Sequence, residues 1–350
     1  FLREGHRVFV LAQDKFFDQA CQFVKTHVTG DSKVLSGDVV NIDLGLSGTE
    51  VQEIVNEVTH IYHLAAIYHL GVSREVTYRV NVEGTKNILD FAESMQRLKR
   101  FVFFSSAYVS GRRTGVILED DLSGAAGFHN EYERTKFLAE KIVRNYMDRI
   151  PACVMRPGII VGDSKTGEID RFDGPYLMIN AILNMPLDFA IPLPGEGNSP
   201  LNLVPVDYVT EAAYLISLDD RSAGMTFHLT DPNPLPAKRV FEIVADLTGK
   251  RRPFGRIPSL TYRVMDKIPY LNKVIMPQIQ FFEYFNLLSI YNCHNTLELL
   301  AGTGLCCPLF VTYAGNLLNF IKTKSSDMRK VSARKLASSE SRDEEEETFY

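Results

Sequence analysis

Tryptophan is absent from this chain, so no indole is available to stack on a ligand or to report on one by fluorescence. Cysteine is scarce: Cys21, Cys153, Cys293, Cys306 and Cys307 are odd in number, and two of them are adjacent. Their spacings match neither a disulfide framework nor a zinc ligand set, and free thiols in a reducing, cytoplasmic compartment are expected, with no metal. An excess of basic residues is missing too. The net charge of −5 gives no electrostatic reason for nucleic acid or an anionic lipid surface as partner. No apolar run reaches about 18 residues, so no membrane-spanning helix is expected. The initiator methionine is also lacking. The chain opens on "FLREGHRVFVLAQ", which reads as a helix end, a turn and a strand, as though a unit had already begun. Whether a targeting segment came before stays open.

What is present is the composition of a soluble globular protein, 350 residues with 45% hydrophobic and 23% charged side chains, enough for one large domain or two. Strand-like and helix-like runs alternate through the first half. Val8–Leu11, Lys33–Val39, His60–Ala65, Arg100–Ser105 and Ala152–Met155 read as strands. Phe16–Val28, a stretch opened by the capping box of Ser47 and Glu50, Val82–Met95 and Glu131–Met147 read as helices. Apolar strands alternating with helices predict an α/β fold, a doubly wound, Rossmann-type parallel sheet. The expected domains are a dinucleotide-binding unit over 1–162 and a smaller, helix-rich, substrate-covering region over 163–321. Within the latter, 200–230 returns to the sheet. Residues 322–350, basic and then acidic, are expected to be a disordered, flexible tail.

In such sheets the chemistry lies at the carboxyl ends of the strands. There, "FFSSAYVSG" ends a buried strand in Ser105-Ser106, and 26 residues after Ser106, "EYERTK" places Tyr132 and Lys136 four apart near a helix start. Residues i and i+4 share a helix face, so a phenol and an ammonium can enter one site. An ammonium beside a phenol lowers its pKa, and a tuned tyrosine exchanges protons with a carbonyl or hydroxyl, which a nearby serine can hydrogen-bond. Of fifteen tyrosines only Tyr132 has lysine at this spacing.

Ser106, Tyr132 and Lys136 in this setting resemble the catalytic triad of the extended short-chain dehydrogenase/reductase family. Five further segments resemble that family in order: "GDV" (Asp38, Val39), "HLAA" (His63, Ala65, Ala66), "NVEGT" (Asn81), "RPGIIVG" (Arg156, Pro157, Gly158, Ile159) and "NLVPVDYV". The resemblance covers roughly residues 1 to 320 and is strongest to the thioester reductase and fatty acyl-CoA reductase branch. It implies a NAD(P)H-dependent oxidoreductase that reduces a lipid-like carbonyl, above all an acyl thioester carried on CoA or a carrier protein, to aldehyde or alcohol. Tyr132 would give the proton, Lys136 would hold the nicotinamide ribose and bias Tyr132, Ser106 would steady the oxyanion, and Asn81 would support a proton relay. Asp38, Val39, His63, Ala65, Ala66, Lys136 and the residues from Arg156 to Ile159 would line the cofactor.

The resemblance also implies a first strand and a Gly-rich phosphate loop before Phe1, so the chain is expected to be a piece of a longer product and to bind the cofactor poorly as it stands. Gln13 sits where the branch often has Arg, with Lys15 nearby; NADP(H) is favoured and NAD(H) stays open. Two other readings remain: a sugar-nucleotide epimerase/dehydratase or hydroxysteroid-type dehydrogenase of the same family, and a catalytically silent nucleotide-binding relative. The few basic groups in the Phe-rich C-terminal half speak against a sugar diphosphate. His60, His63 and His69 read as structural histidines, and "QIQFFEYFNLLSIY" as packed core, with a membrane-surface helix or an acyl lid as its other readings. Oligomeric state is not legible.

Overall fold

The computed structural model describes residues 5–27, 30–68, 72–186, 190, 192–257 and 284–324. Phe1 to Arg3, His69, the start of the Phe-rich run and the tail from residue 325 onward lie outside them.

Strands β1 (Val8–Ala12) and β2 (Ser32–Ser36) flank helix α1 (Asp14–His27) and pair in parallel. Strand β2 stops at Ser36, short of the expected Val39. Gly37 there closes against the Leu44 carbonyl, which a Cβ would approach to 2.4 Å, and the Asp38 amide donates to that same carbonyl at 2.8 Å. Helix α2 (Gly48–Glu57) opens on the predicted capping box: the Glu50 amide donates to Ser47 Oγ, and the Ser47 amide to the Glu50 carboxylate at 2.9 Å. Strand β3 (His60–His63) follows. The next helical run begins earlier than Val82. Ser73 Oγ accepts from the Val76 amide, starting α3 (Arg74–Tyr78), which passes through a π-helical turn at Arg79–Glu83 into α4 (Gly84–Glu93).

Strands β4 (Arg100–Phe104) and β5 (Gly115–Ile117), helix α5 (Glu131–Tyr146), and strands β6 (Ala152–Pro157) and β7 (Ile159–Val161) come next. Beyond them lie α6 (Pro175–Asn184), β8 (Leu193–Pro194), β9 (Leu203–Pro205), α7 (Val206–Leu218), β10 (Thr226–Leu229), α8 (Ala237–Thr248), β11 (Arg256–Ile257), β12 (Ser289–Tyr291) and α9 (His294–Leu300). A last helix, α10, covers 310–324, so the first three residues of the expected tail are helical.

Four strands form one parallel sheet in the order β10-β6-β4-β3. One face packs Phe101, Phe103 and Val154 against Leu89 of α4 and Ala139 and Val143 of α5. The other packs Val102, Cys153, Met155 and Phe227 against Tyr208, Val209 and Ala212 of α7 and Leu299 of α9. Both faces are buried, the reason these strands read as continuous apolar runs. The β1–β2 pair makes no strand pairing to this sheet among the described residues, yet Leu35 and Leu11 join the first core. A separate core holds α6, α8 and α10 together through Tyr176, Ile179, Phe241, Tyr313 and Leu317. The described part of the Phe-rich run is a 3₁₀ turn and a strand of alternating burial: Phe285 lies fully buried within this core and Tyr291 packs with Ala107 and Ile117, while Leu288 and Ile290 are exposed.

Gly84 sits where α4 passes the turn after β2, and a Cβ there would come within 2.7 Å of a Val39 methyl. Gly84→Ala is therefore expected to destabilise the chain by about 1–3 kcal/mol through overpacking. Urea unfolding checks it, and an unchanged midpoint would show that Val39 moves aside freely.

Candidate active site

Strand β4 delivers Ser105 and Ser106 to the carboxyl edge of the sheet. Ser106 caps the 3₁₀ turn that follows, its Oγ accepting from the Tyr108 amide at 3.2 Å. Helix α5 starts beside it, capped by Asn130, whose Oδ1 accepts from the Glu133 amide at 2.9 Å. Tyr132, in the first turn, lies close enough to the Ser106 side chain for that hydroxyl to act on its pKa.

Lys136 departs from expectation. Its amine is almost fully buried, donates to the Phe104 carbonyl and lies 4.3 Å from the centre of the Phe103 ring. Burial pushes its pKa down to about 7, with Glu140 opposing the drop. Tyr132 moves opposite to the expected direction, up to about 12, because it is desolvated and lies near the Glu133 carboxylate, with only the Ser106 hydrogen bond pulling it down. A phenol that is neutral at pH 7 still carries its proton, so the environment suits an acid more than a phenolate base.

Asn81 sits in the π-helical turn, and its amide is wholly engaged. Oδ1 accepts from the Ile67 amide at 2.7 Å, and Nδ2 donates to the Ile67 carbonyl at 2.9 Å and to Thr135 Oγ1 at 3.0 Å. It braces the segment after β3 against α5. His63 is buried at the end of β3, 2.9 Å from Thr85 Oγ1, and desolvation takes its pKa down to about 3. Its imidazole is neutral and held by the protein. Ala65 is exposed and Ala66 partly so on the segment that Asn81 holds.

Arg156 is only 1% exposed; it forks onto Glu140 at 2.6 and 3.0 Å and donates to the carbonyls of Glu119 and Asp121, so its guanidinium is engaged by protein partners. Pro157 ends β6. The Gly158 amide donates to the Leu229 carbonyl and that of Ile159 to the Asn202 carbonyl, pinning this stretch to β10 and β9.

At the carboxyl ends of β1 and β2 opens a cavity of about 620 Å³ lined by Gln13, Asp14, Lys15, Ser36, Asp38 and Asn41. Asp38 accepts from Gln13 Nε2 at 2.7 Å and from the Val40 amide at 3.1 Å; Val39 is buried behind it. Asp14 accepts from the Ser36 hydroxyl. Asp38 and its neighbours thus form a polar pocket at the carboxyl ends of β1 and β2.

Sequence reasoning missed Glu133 and Glu140. Glu133 is fully buried; its carboxylate accepts from the His129 amide at 2.8 Å and from the Tyr284 hydroxyl at 2.5 Å. The spacing that found Lys136 also continues to Glu140 and Arg144, four and eight residues on, a polar stripe on a helix whose other face is core.

The family model described as Male sterility protein, an NAD-binding domain, matches residues 6–213. The chain belongs to this family. It is an extended short-chain dehydrogenase/reductase, a class of NAD(P)-dependent oxidoreductases, and its relatives include fatty acyl-CoA reductases and thioester reductase domains. An "Alcohol-forming fatty acyl-CoA reductase" of Simmondsia chinensis is 22% identical, over 93% of this chain and 73% of that protein. A "Non-canonical nonribosomal peptide synthetase hkm10" of Aspergillus hancockii is 26% identical over 78% of this chain, which spans only 28% of that larger protein. Among solved structures, the terminal R domain from the myxalamid PKS-NRPS biosynthetic pathway superposes with a TM-score of 0.74 at 23% identity. That match covers 91% of this chain and 84% of that one, and it confirms the fold. No helix among the described residues is long and apolar enough to cross a membrane.

Proposed function

We propose that this extended short-chain dehydrogenase/reductase reduces an acyl thioester, borne on CoA or a carrier protein, with NADPH as reductant. The observation that carries the reading is the placement of Tyr132 beside the Ser106 side chain at the end of β4, in a chain whose relatives include an alcohol-forming fatty acyl-CoA reductase. The polar pocket at Asp38 fits the adenosine half of the cofactor, and a bound nicotinamide supplies the hydride. Tyr132 gives its proton to the carbonyl oxygen as the carbon is reduced, Ser106 donates a hydrogen bond to that oxygen, and the thiol then departs to leave an aldehyde. Lys15, beside Asp14 in the pocket wall, is the cation that favours a 2′-phosphate. The same reading sets the protein in the cytoplasm.

The test is consumption of NADPH and of NADH by the complete protein with acyl-CoA, with carrier-linked acyl chains and with sugar nucleotides. Thioester-dependent oxidation of NADPH is expected; turnover of sugar nucleotides alone would overturn the reading. Lys15→Glu is expected to weaken NADPH about tenfold while sparing NADH, since one cation near the phosphate accounts for roughly 1.4 kcal/mol. Equal losses for both cofactors would remove Lys15 from the discrimination.

A further inference from the structure

Beyond the Ser106, Tyr132 and Lys136 set lies a second charge cluster, in which Glu140 and Arg156 are buried and Arg144 is partly exposed. Its centre is Glu140, which accepts from the Ser105 hydroxyl at 2.6 Å, from Arg156 Nη2 at 2.6 Å and Nε at 3.0 Å, and from Arg144 Nε at 3.1 Å. Three elements converge on this one carboxylate: the end of β4 through Ser105, the end of β6 through Arg156, and α5 itself. Arg144 extends the cluster to β10, donating to Thr226 Oγ1 at 3.0 Å, and to the Glu119 and Asp120 carbonyls.

The placement on α5 gives the cluster its consequence. Tyr132, Lys136, Glu140 and Arg144 recur every four residues, so they form one stripe along the helix. Each docks on the strand ends in turn: Tyr132 on Ser106, Lys136 on the Phe104 carbonyl, Glu140 on Ser105 and Arg156. Two consecutive serines are therefore divided between roles. Ser106 faces the reacting oxygen, and Ser105 anchors the strand end to Glu140. A buried ion pair of this kind adds little net stability, because desolvation of both ions offsets their attraction. Its position beside the candidate site calls for another account.

We propose that Glu140 is a positioning residue that locks the Ser105-Ser106 strand end to α5 and supplies the counter-charge that keeps the Lys136 amine protonated. The groups facing Lys136 support this. From β4 come the Phe103 ring and the Phe104 carbonyl, from β3 the neutral His63, and one turn further along the same face of α5 the Glu140 carboxylate, whose charge favours the protonated amine. Arg156 and Arg144 act on Lys136 through Glu140, by fixing where its carboxylate sits. This inference rests on the reading of Lys136 as part of the site, but its test does not need turnover.

The experiment is a pH titration of the lysine Cε and Nζ resonances in protein labelled at lysine, with Lys136 assigned by its loss in Lys136→Arg. The wild-type amine is expected to titrate near neutrality. In Glu140→Gln the midpoint is expected to fall by about one pH unit, a tenfold weaker hold on the proton, and Glu140→Asp, which keeps the charge, is expected to restore most of that shift. An unchanged midpoint in folded Glu140→Gln overturns the proposal. Should Glu140→Gln fail to fold with two arginines left unpaired, Glu140→Gln/Arg144→Gln removes one of them and is read in the same way. Where turnover is measurable, the alkaline limb of the rate profile moves down with the midpoint. A uniform loss of rate with an unmoved limb would reduce Glu140 to a structural part and also overturn the proposal. Absence of turnover in the wild type refutes the thioester reading and leaves the titration to decide this one.

Discussion

Tyr132→Phe is expected to lower reduction by about 10²–10⁴-fold while leaving cofactor affinity within about twofold of wild type. The substitution removes one oxygen and keeps the ring, so its edge-on contact with Tyr68, 6.5 Å between centroids, and the helix start capped by Asn130 are retained. What is lost is the proton that the substrate oxygen receives. Because desolvation and Glu133 hold the Tyr132 pKa at about 12, the phenol stays protonated across the physiological range. Its contribution should therefore be flat with pH up to the point where the protein itself fails. Steady-state rates for both proteins, with cofactor binding followed by nicotinamide fluorescence, make the comparison; the lack of tryptophan keeps the background low. Retained turnover would take Tyr132 out of the mechanism. A parallel loss of cofactor binding would instead assign the effect to the site's architecture.

The part of this site that the sequence made legible is the part encoded locally. Ser47 and Glu50 announce a helix start because a capping box needs only four residues, and the structure builds it as read. Apolar runs at Arg100–Phe104 and Ala152–Pro157 announce buried parallel strands because both faces are covered by helices. Tyr132 and Ser106 could be linked because one βα step returns the chain to the same sheet edge. What was not legible depends on partners far away in the chain. Arg156 reads as a ligand-facing cation in "RPGIIVG", but its fate is decided by Glu140 and by carbonyls at Glu119 and Asp121. The direction of Lys136 is set by a carbonyl on another strand rather than by its spacing from Tyr132. Asn81 looked like a relay because it opens "NVEGT", yet the π-helical turn aims its amide at the Ile67 backbone. Helix α3 was missed because its signal, the Ser73 cap, lies nine residues before the amphipathic stretch that drew attention.

Lys136→Met is expected to stabilise the chain at neutral and mildly acidic pH while it abolishes most of the activity. The ordinary lysine pKa of 10.5 falls to about 7 in the fold because the amine is buried. At about 1.4 kcal/mol per unit, keeping the charged form inside costs on the order of 4–5 kcal/mol below that pH. Methionine escapes this cost but leaves the Phe104 carbonyl without its donor, which returns about 1–3 kcal/mol, so a net gain of about 2 kcal/mol is expected. The sign with pH follows from proton counting. Between about 7 and about 10.5 the unfolded chain holds a proton that the native state has released, so wild-type stability rises with pH through that window. Below about 7 both states are protonated and the penalty is constant. The methionine variant has no such dependence, and its advantage should shrink steadily toward alkaline pH. Urea unfolding of the two proteins at about pH 6 and about pH 9.5 isolates this group, because every other titration cancels in the difference. A constant difference between the two pH values would show that Lys136 is not buried in a form that must shed its proton. A variant less stable than wild type at pH 6 would mean that the Phe104 hydrogen bond and the ring contact outweigh desolvation, and that the site holds its ammonium at no cost to the fold.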